Sequence, residues 1–139
     1  MYQTLKNIKQ KDWQYLLPAL VCIFCFIATD ILNLGNKVKF SYWSGNLLYE
    51  PYRIITSHFI HGDLQHLLAN IFGIIVARFC LKSLKLNGDF FFLVLICLLI
   101  PTQTFILWAS DIFLFNNPMS LAIGFSGIIY GIESFVLLS

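Results

Sequence analysis

The chain has 139 residues, of which 58% are hydrophobic and 12% are charged, and its formal net charge is +2. About 25% of residues are charged in a typical soluble domain, so these charges are too few to cover a water-facing surface. The small net charge, without a basic run or stripe, argues against a nucleic-acid partner. The length and composition indicate one integral membrane domain.

Four apolar segments are long enough, or nearly so, to cross a bilayer. A hydrocarbon core of about 30 Å takes roughly 20 helical residues. The predicted spans are residues 15–34, 64–81, 90–110 and 120–138. Pro101 in the third span is expected to kink the helix rather than to break it. The sequence therefore predicts an all-α, polytopic transmembrane helix bundle that forms a single membrane domain over residues 1–139.

The basic residues predict how the bundle is oriented. Six of them precede the first span or end the second: Lys6, Lys9, Lys11, Arg78, Lys82 and Lys85. The loop between these spans, residues 35–63, has half as many, namely Lys37, Lys39 and Arg53. Because cytoplasmic flanks are enriched in Lys and Arg, we expect the N-terminus to be cytoplasmic and this loop to lie outside.

Two polar residues interrupt the second predicted span. His66 and Asn70 are four residues apart, so they share one face of a helix, and Gly73 lies close to that face. A pair of hydrogen bonds between helices would explain them without any catalytic role.

The fourth predicted span begins with the stretch "GFSGIIYGIE", in which Gly124 and Gly127 flank a serine. Ser126, Tyr130 and Glu133 recur at i, i+4 and i+7 and so share one stripe of the helix. A packing face with a structural serine would also produce this pattern. The pattern assigns no role to Glu133.

These two polar clusters lie at the same expected depth. Both spans start at the outer surface, so His66, Asn70 and Ser126 all fall within about two turns of it. A nucleophilic hydroxyl that faces imidazole and amide donors is the arrangement acyl transfer needs, because the donors stabilise the oxyanion.

The stretches "YRIITSHFIHGDLQHLLANIFG", residues 52–73, and "GFSGIIYG", residues 124–131, together resemble the rhomboid family of intramembrane serine proteases. The resemblance covers the chain from about residue 50 to residue 138. It implies a six-span fold, of which about four spans are present. The implied activity is cleavage of transmembrane segments near the outer surface through a Ser–His dyad, with no cofactor or metal. The implied partners are transmembrane protein substrates and the lipid bilayer, in a bacterial inner membrane.

The resemblance also implies roles for individual residues. Ser126 matches the nucleophile, and His66 and Asn70 match the side chains that help the serine amide form the oxyanion hole. Tyr130 matches the aromatic residue on which the catalytic histidine rests, and Gly127 matches the glycine that allows close helix approach.

Three further positions match supporting residues. Arg53 and His61 correspond to residues that order the external loop and the start of the second span, and Gly124 is the first glycine of the nucleophile motif. Tyr52 stands where the family usually has tryptophan. The short loop and the "TSHFIH" run are similar to the rhombosortase branch.

The family pattern is incomplete in one respect. The resemblance implies a catalytic histidine on a later span, whereas His58, His61 and His66 all precede Ser126. We therefore expect these 139 residues to be a truncated form that is inactive by itself, because a serine without a base is a poor nucleophile.

Two alternatives remain open. A non-proteolytic rhomboid-like protein that binds transmembrane helices would need no later histidine. A metal-binding membrane protein is the second, because His58, His61 and His66 lie within nine residues.

Overall fold

The computed structural model describes residues 2–84 and 90–138, with side chains from Asp12 onward. The chain is mostly helical. Its helices are α1 (Tyr2–Phe26), α2 (Lys37–Phe40), α3 (Arg53–Phe59), α4 (Leu64–Ser83), α5 (Phe91–Ala109) and α6 (Ser126–Leu138). Single π-helical turns, Ile27–Ile31 and Ser110–Leu114, extend α1 and α5. Two short strands, β1 (Tyr42–Trp43) and β2 (Leu121–Ala122), pair antiparallel.

Three helices among the described residues are long and apolar enough to cross a membrane. They cover Asp12–Ile31, Leu64–Ser83 and Phe91–Leu114. The predicted fold class, an all-α bundle of membrane helices, is confirmed. Charged residues in the described parts of these spans are few, and Asp12 on α1 pairs with Arg78 and Lys82 on α4 at 2.8 and 3.1 Å.

The fourth predicted span differs from the observed structure at its start. The sequence predicts this span from residue 120, but the helix begins at Ser126. The residues before it form β2, in which Ala122 pairs with Tyr42. The turn that follows contains Gly124 at φ +106°, a conformation that an α-helix cannot contain. Apolar composition alone does not reveal this turn, so the prediction extended the helix too far.

Helix α6 lies against both α4 and α5 through one apolar face. Ile128, Ile129 and Ile132 are buried there. A Cβ at Gly73 of α4 would lie 2.7 Å from the Ile129 side chain, so the absent side chain makes room for this isoleucine. The close packing fixes the rotation of α6 and leaves its polar stripe on another face.

The loop between α1 and α4 is held by a buried arginine. Arg53 is 3% exposed, and its Nε donates to Glu50 at 2.6 Å. Its Nη1 donates to the carbonyls of Val38 and Ser41 at 2.7 and 2.6 Å. The guanidinium also stacks over the Trp43 ring at 5.7 Å. One side chain therefore ties α2, β1 and the start of α3 together.

A second buried contact joins this loop to α5. The Tyr42 hydroxyl donates to the Asp111 carboxylate at 2.8 Å, and both residues are buried. Desolvation and this carboxylate raise the pKa of the tyrosine. Because Tyr42 also pairs with Ala122, the contact fixes the loop, the end of α5 and the approach to α6 relative to one another.

Helix α3 is fixed to α5 through a histidine. His58 is 5% exposed, and its Nε2 lies 2.9 Å from the Thr104 hydroxyl. That hydroxyl also lies 2.9 Å from the Ile100 carbonyl, within hydrogen-bond distance. Burial lowers the pKa of His58 to about 4, so the ring is neutral near neutral pH.

We expect Arg53→Lys to destabilise the fold by about 2 kcal/mol, because an ammonium group cannot reproduce the planar set of charged hydrogen bonds. Thermal melting in detergent measures this. Lys39→Ala, at an exposed position on α2, is the control and should melt close to wild type. Equal melting temperatures for Arg53→Lys and wild type would show that the guanidinium does not hold the loop.

Stability should fall as the pH drops from 7 to 5. The folded pKa of His58 is about 4 and the unfolded value about 6.5, so in this window the unfolded chain binds the proton and the folded chain does not. The contribution of His58 to the loss at pH 5 is on the order of 1–2 kcal/mol. Comparing melting curves of wild type and His58→Gln at both pH values measures it. The glutamine variant should show a weaker pH dependence, and an unchanged slope would contradict the assignment.

Candidate active site

Ser126 is the first residue of α6 and lies where two cavities meet. One is a groove of about 550 Å³ between α4 and α6, and the other is a cavity of about 150 Å³ beside α3 and α5. The first bonds of α6 run from the amides of Ile128 and Ile129 to the Phe125 carbonyl. Helix geometry leaves the amides of Ser126 and Gly127 without intrahelical partners, so they remain available as donors.

The groove brings together the polar residues singled out in two distant parts of the sequence. His66 and Asn70 line it from α4, and Ser126, Tyr130 and Glu133 line it from α6. Tyr130 is 66% exposed, so its ring forms an open part of the groove wall. The structure therefore places a serine hydroxyl, an imidazole and an amide along one surface.

Local contacts set the position of His66. Helix α4 begins at Leu64, and the Asp63 side chain caps it by accepting from the His66 amide at 2.8 Å. A Cβ at Gly124 would lie 2.5 Å from the His66 Nε2, closer than real Cβ atoms come. Glycine is thus required at 124 both by its positive φ and by the imidazole against it.

Asn70 is 3% exposed, and its Nδ2 has no hydrogen-bond partner within the part of the chain that the structure describes. A buried donor without a partner costs about 1–3 kcal/mol. This amide lies 3.5 Å from a Cβ built at Gly124, beside the start of α6. It is therefore a donor available to an oxygen bound in the groove.

His61 lies behind His66 and is fully buried. Its Nδ1 is 3.1 Å from the Phe59 carbonyl, so this nitrogen carries the proton and donates. The rings of His61 and His66 are 5.1 Å apart, edge to face. Burial, followed by the proximity of His66, lowers the pKa of His61 to about 4. The neutral ring of His61 thus packs against the ring of His66.

Gln103 is a site residue that the sequence reasoning missed. A Cβ at Gly127 would overlap the Gln103 side-chain amide, so α5 presents this amide directly to the residue after Ser126. Its Oε1 is buried and without a hydrogen-bond partner among the described residues. The sequence feature that could have identified Gln103 is its position as a polar residue in the middle of an uncharged span. Polar side chains within the membrane are costly, so they usually have a hydrogen-bond partner or a function.

The smaller cavity has a partly polar lining. Ser57, His58, Gln103 and Thr104 line it together with Ser126. At about 30 Å³ per water molecule, its 150 Å³ would accommodate several waters. Ser57 and Thr104 were also missed by the sequence reasoning, because short polar residues on apolar helices give no pattern that identifies their neighbours.

The three histidines do not converge on one point as metal ligands would. His58 contacts Thr104 of α5, whereas His61 and His66 pack against each other. No group of three His, Cys, Asp or Glu side chains able to hold a metal ion occurs among the described residues. Arg53, another predicted supporting residue, is the first residue of α3 and contacts none of these histidines in the hydrogen bonds it makes.

Comparison with protein families gives one match. The Rhomboid domain family matches residues 49–139, more than half of the chain. No curated protein and no solved structure matches. The matched region contains α3, α4, α5 and α6, and thus every residue described above in the groove. This membrane protein therefore belongs to the rhomboid family, a family of intramembrane proteases.

Proposed function

We propose that this protein is an intramembrane serine endopeptidase with Ser126 as its nucleophile. The observation that carries the proposal is the single groove shared by Ser126 with His66 and Asn70. It lies at the amino-terminal end of α6, where helix geometry directs free amides and partial positive charge outward. A carbonyl attacked by the serine hydroxyl would develop its negative charge at this end of the helix.

The oxyanion would receive three kinds of donor. The amide of Ser126 is free by helix geometry, Asn70 offers a buried Nδ2 without a partner among the described residues, and His66 approaches Gly124 from the same side. Donors fixed before the reaction stabilise developing charge without reorganising. The buried, neutral His61 supports the His66 ring from behind, which favours such fixed positions.

The proposed substrates are transmembrane segments of other proteins. The groove between α4 and α6 has a mainly apolar wall, including Phe72, Val76 and Ile129, which suits a segment arriving from lipid. Cleavage requires an extended peptide, so the segment would unwind close to Ser126. Water for deacylation would come from the partly polar cavity on the other side of the serine.

The base in this proposal is a histidine outside residues 1–139. His58 is engaged with Thr104 and His61 with the Phe59 carbonyl, while His66 faces the groove as an oxyanion donor. The exposed ring of Tyr130 offers a surface on which an imidazole would rest, one helical turn from Ser126. That imidazole would take the serine proton and pass it to the leaving amine.

The proposal also covers the orientation of the protein in the membrane and the branch of the rhomboid family to which it belongs. The basic residues before the first span and at the end of the second favour a cytoplasmic N-terminus, with the groove opening toward the outer surface of a bacterial inner membrane. The short external loop and the "TSHFIH" run favour the rhombosortase branch.

A second candidate is a protein that binds transmembrane helices without cutting them. The observation favouring it is that, in the described part of the chain, Ser126 makes no hydrogen bond to any of the three histidines. The same groove would then serve as a docking surface. Crosslinking to membrane helices without any cleavage product would support this candidate over the protease.

Ser126→Ala in the full-length protein should lower cleavage of a transmembrane reporter by at least about 10³-fold, because the nucleophile is lost. Product formation in native membranes measures this. Ser134→Ala, at an exposed serine on the same helix, is the matched control and should cleave at the wild-type rate. Equal rates for both variants would refute the serine protease.

Asn70→Ala should lower kcat by about 10² to 10³, the usual cost of one oxyanion donor, with little change in KM. The decrease in kcat for His66→Ala should lie in the same range. Steady-state kinetics with a reporter peptide in detergent separates the two constants. A rise in KM at constant kcat would instead assign these side chains to substrate binding.

A further inference from the structure

The imidazole of His66 is held by packing from several sides. A Cβ at Gly124 would lie 2.5 Å from its Nε2, and a Cβ at Gly62 would lie 3.8 Å from its Nδ1. The His61 ring packs against it edge to face, with the ring centres 5.1 Å apart. No residue of the described chain makes a hydrogen bond to the imidazole nitrogens. The position of this ring therefore depends on the backbone segments that lie against it.

The backbone at Gly62 is the least constrained of these segments. His61 and Gly62 lie between α3 and α4, and neither takes part in a backbone–backbone hydrogen bond among the described residues. A glycine without such bonds has a wide range of accessible φ and ψ angles. Asp63, which caps α4 by accepting from the His66 amide, follows directly. A shift of Gly62 would thus move both the surface beside the imidazole and the start of its helix.

The ammonium group of Lys37 holds this backbone in place. Its Nζ donates to the Gly62 carbonyl at 2.7 Å, across 25 residues of the chain. The same Nζ forms an ion pair with Asp30, in the π-helical turn that extends α1, and lies 5.9 Å from the centre of the Phe26 ring. The Thr29 hydroxyl lies 2.8 Å from the Asp30 carboxylate. One lysine therefore joins α1, α2 and the turn that leads into α4.

The contact of Lys37 is better suited to fixing geometry than to stabilising the fold. The Lys37 and Asp30 side chains are 27% and 21% exposed, and ion pairs open to solvent add little to the free energy of unfolding. A charged donor on a carbonyl is nevertheless short and directional. Loss of this donor should therefore change the turn at Gly62 more than the melting temperature.

Resting on the function proposed above, we infer that Lys37 is a positioning residue for His66, the oxyanion donor. The ammonium group fixes the Gly62 peptide, and this peptide limits the movement of the imidazole. The imidazole is then in place to donate to the oxyanion when the serine attacks. Lys37 lines neither of the cavities at Ser126, so it acts through His66 and not on the substrate.

The first test is a double-mutant cycle in the full-length protein, with the transmembrane reporter as substrate. Lys37→Met keeps an unbranched side chain and removes the charge. It should lower kcat about 10-fold with KM unchanged, because a misplaced group costs rate without weakening substrate binding. In a His66→Ala background no imidazole is left to position, so the same change should alter kcat less than about 2-fold.

Lys39→Met, at the exposed lysine of α2, is the matched control and should cleave like its parent in both backgrounds. A decrease of about 10-fold for Lys37→Met in both backgrounds would show that the lysine does not act through His66, and would overturn the inference. A change confined to KM would overturn it as well.

Hydrogen–deuterium exchange tests the same inference without any cleavage. In Lys37→Met the amides of residues 61–66 should exchange faster than in wild type, while those of α5 should keep their rates. Unchanged exchange at residues 61–66 would show that the lysine does not hold the turn. If the melting curve shows that Lys37→Met does not fold, Asp30→Asn takes its place. This variant removes the carboxylate that orients the ammonium group, so it should give smaller changes of the same kind in both experiments.

The role of Lys37 and the protease are tested separately. If Ser126→Ala is inactive and Lys37→Met cleaves as wild type, the role of Lys37 is wrong and the serine protease stands. If Ser126→Ala still cleaves the reporter, the proposed function fails, and the role of Lys37 in catalysis fails with it.

Discussion

The contact between Gly124 and the imidazole of His66 is the constraint on which the rest of the site depends. The positive φ at Gly124 ends the extended segment of β2 and lets α6 begin two residues later, at Ser126. The Gly124 amide donates to the Ser57 carbonyl at 2.8 Å, which joins this turn to α3. A side chain at 124 would displace His66 and strain the backbone at once. The same glycine therefore sets where the helix starts and how closely α4 approaches it.

The loop between α1 and α4 fixes the position of this turn. Arg53 holds the loop through charged hydrogen bonds, and Tyr42 joins β1 to the buried carboxylate of Asp111. Because β1 pairs with β2, any shift of the loop would be transmitted to Gly124. Buried charged hydrogen bonds are strong and directional, so they suit a part of the protein whose backbone has little regular secondary structure.

Some polar groups within the spans have no hydrogen-bond partner among the described residues. A buried amide or carboxyl group in a membrane protein is costly unless it is paired, so each one indicates a partner. Asn70 and Gln103 each have a buried atom without a partner among the described residues, and both lie beside the start of α6. Their concentration around Ser126 is hard to explain by helix packing alone, because packing would satisfy these atoms. It is readily explained by a site whose ligands and water complete the hydrogen bonds.

The sequence by itself determines the membrane helices and which polar residues share a helix face. The scarcity of charge predicts the membrane helices, and the i, i+4 and i+7 spacing places His66 with Asn70, and Ser126 with Tyr130 and Glu133, because helical periodicity is a local property. The register between helices is not local. Only the tertiary structure decided that Gln103 lies against Gly127, that Thr104 meets His58, and that residues 121–122 form a strand. These contacts depend on the relative rotation and depth of packed elements, which side-chain volumes and buried hydrogen bonds determine together.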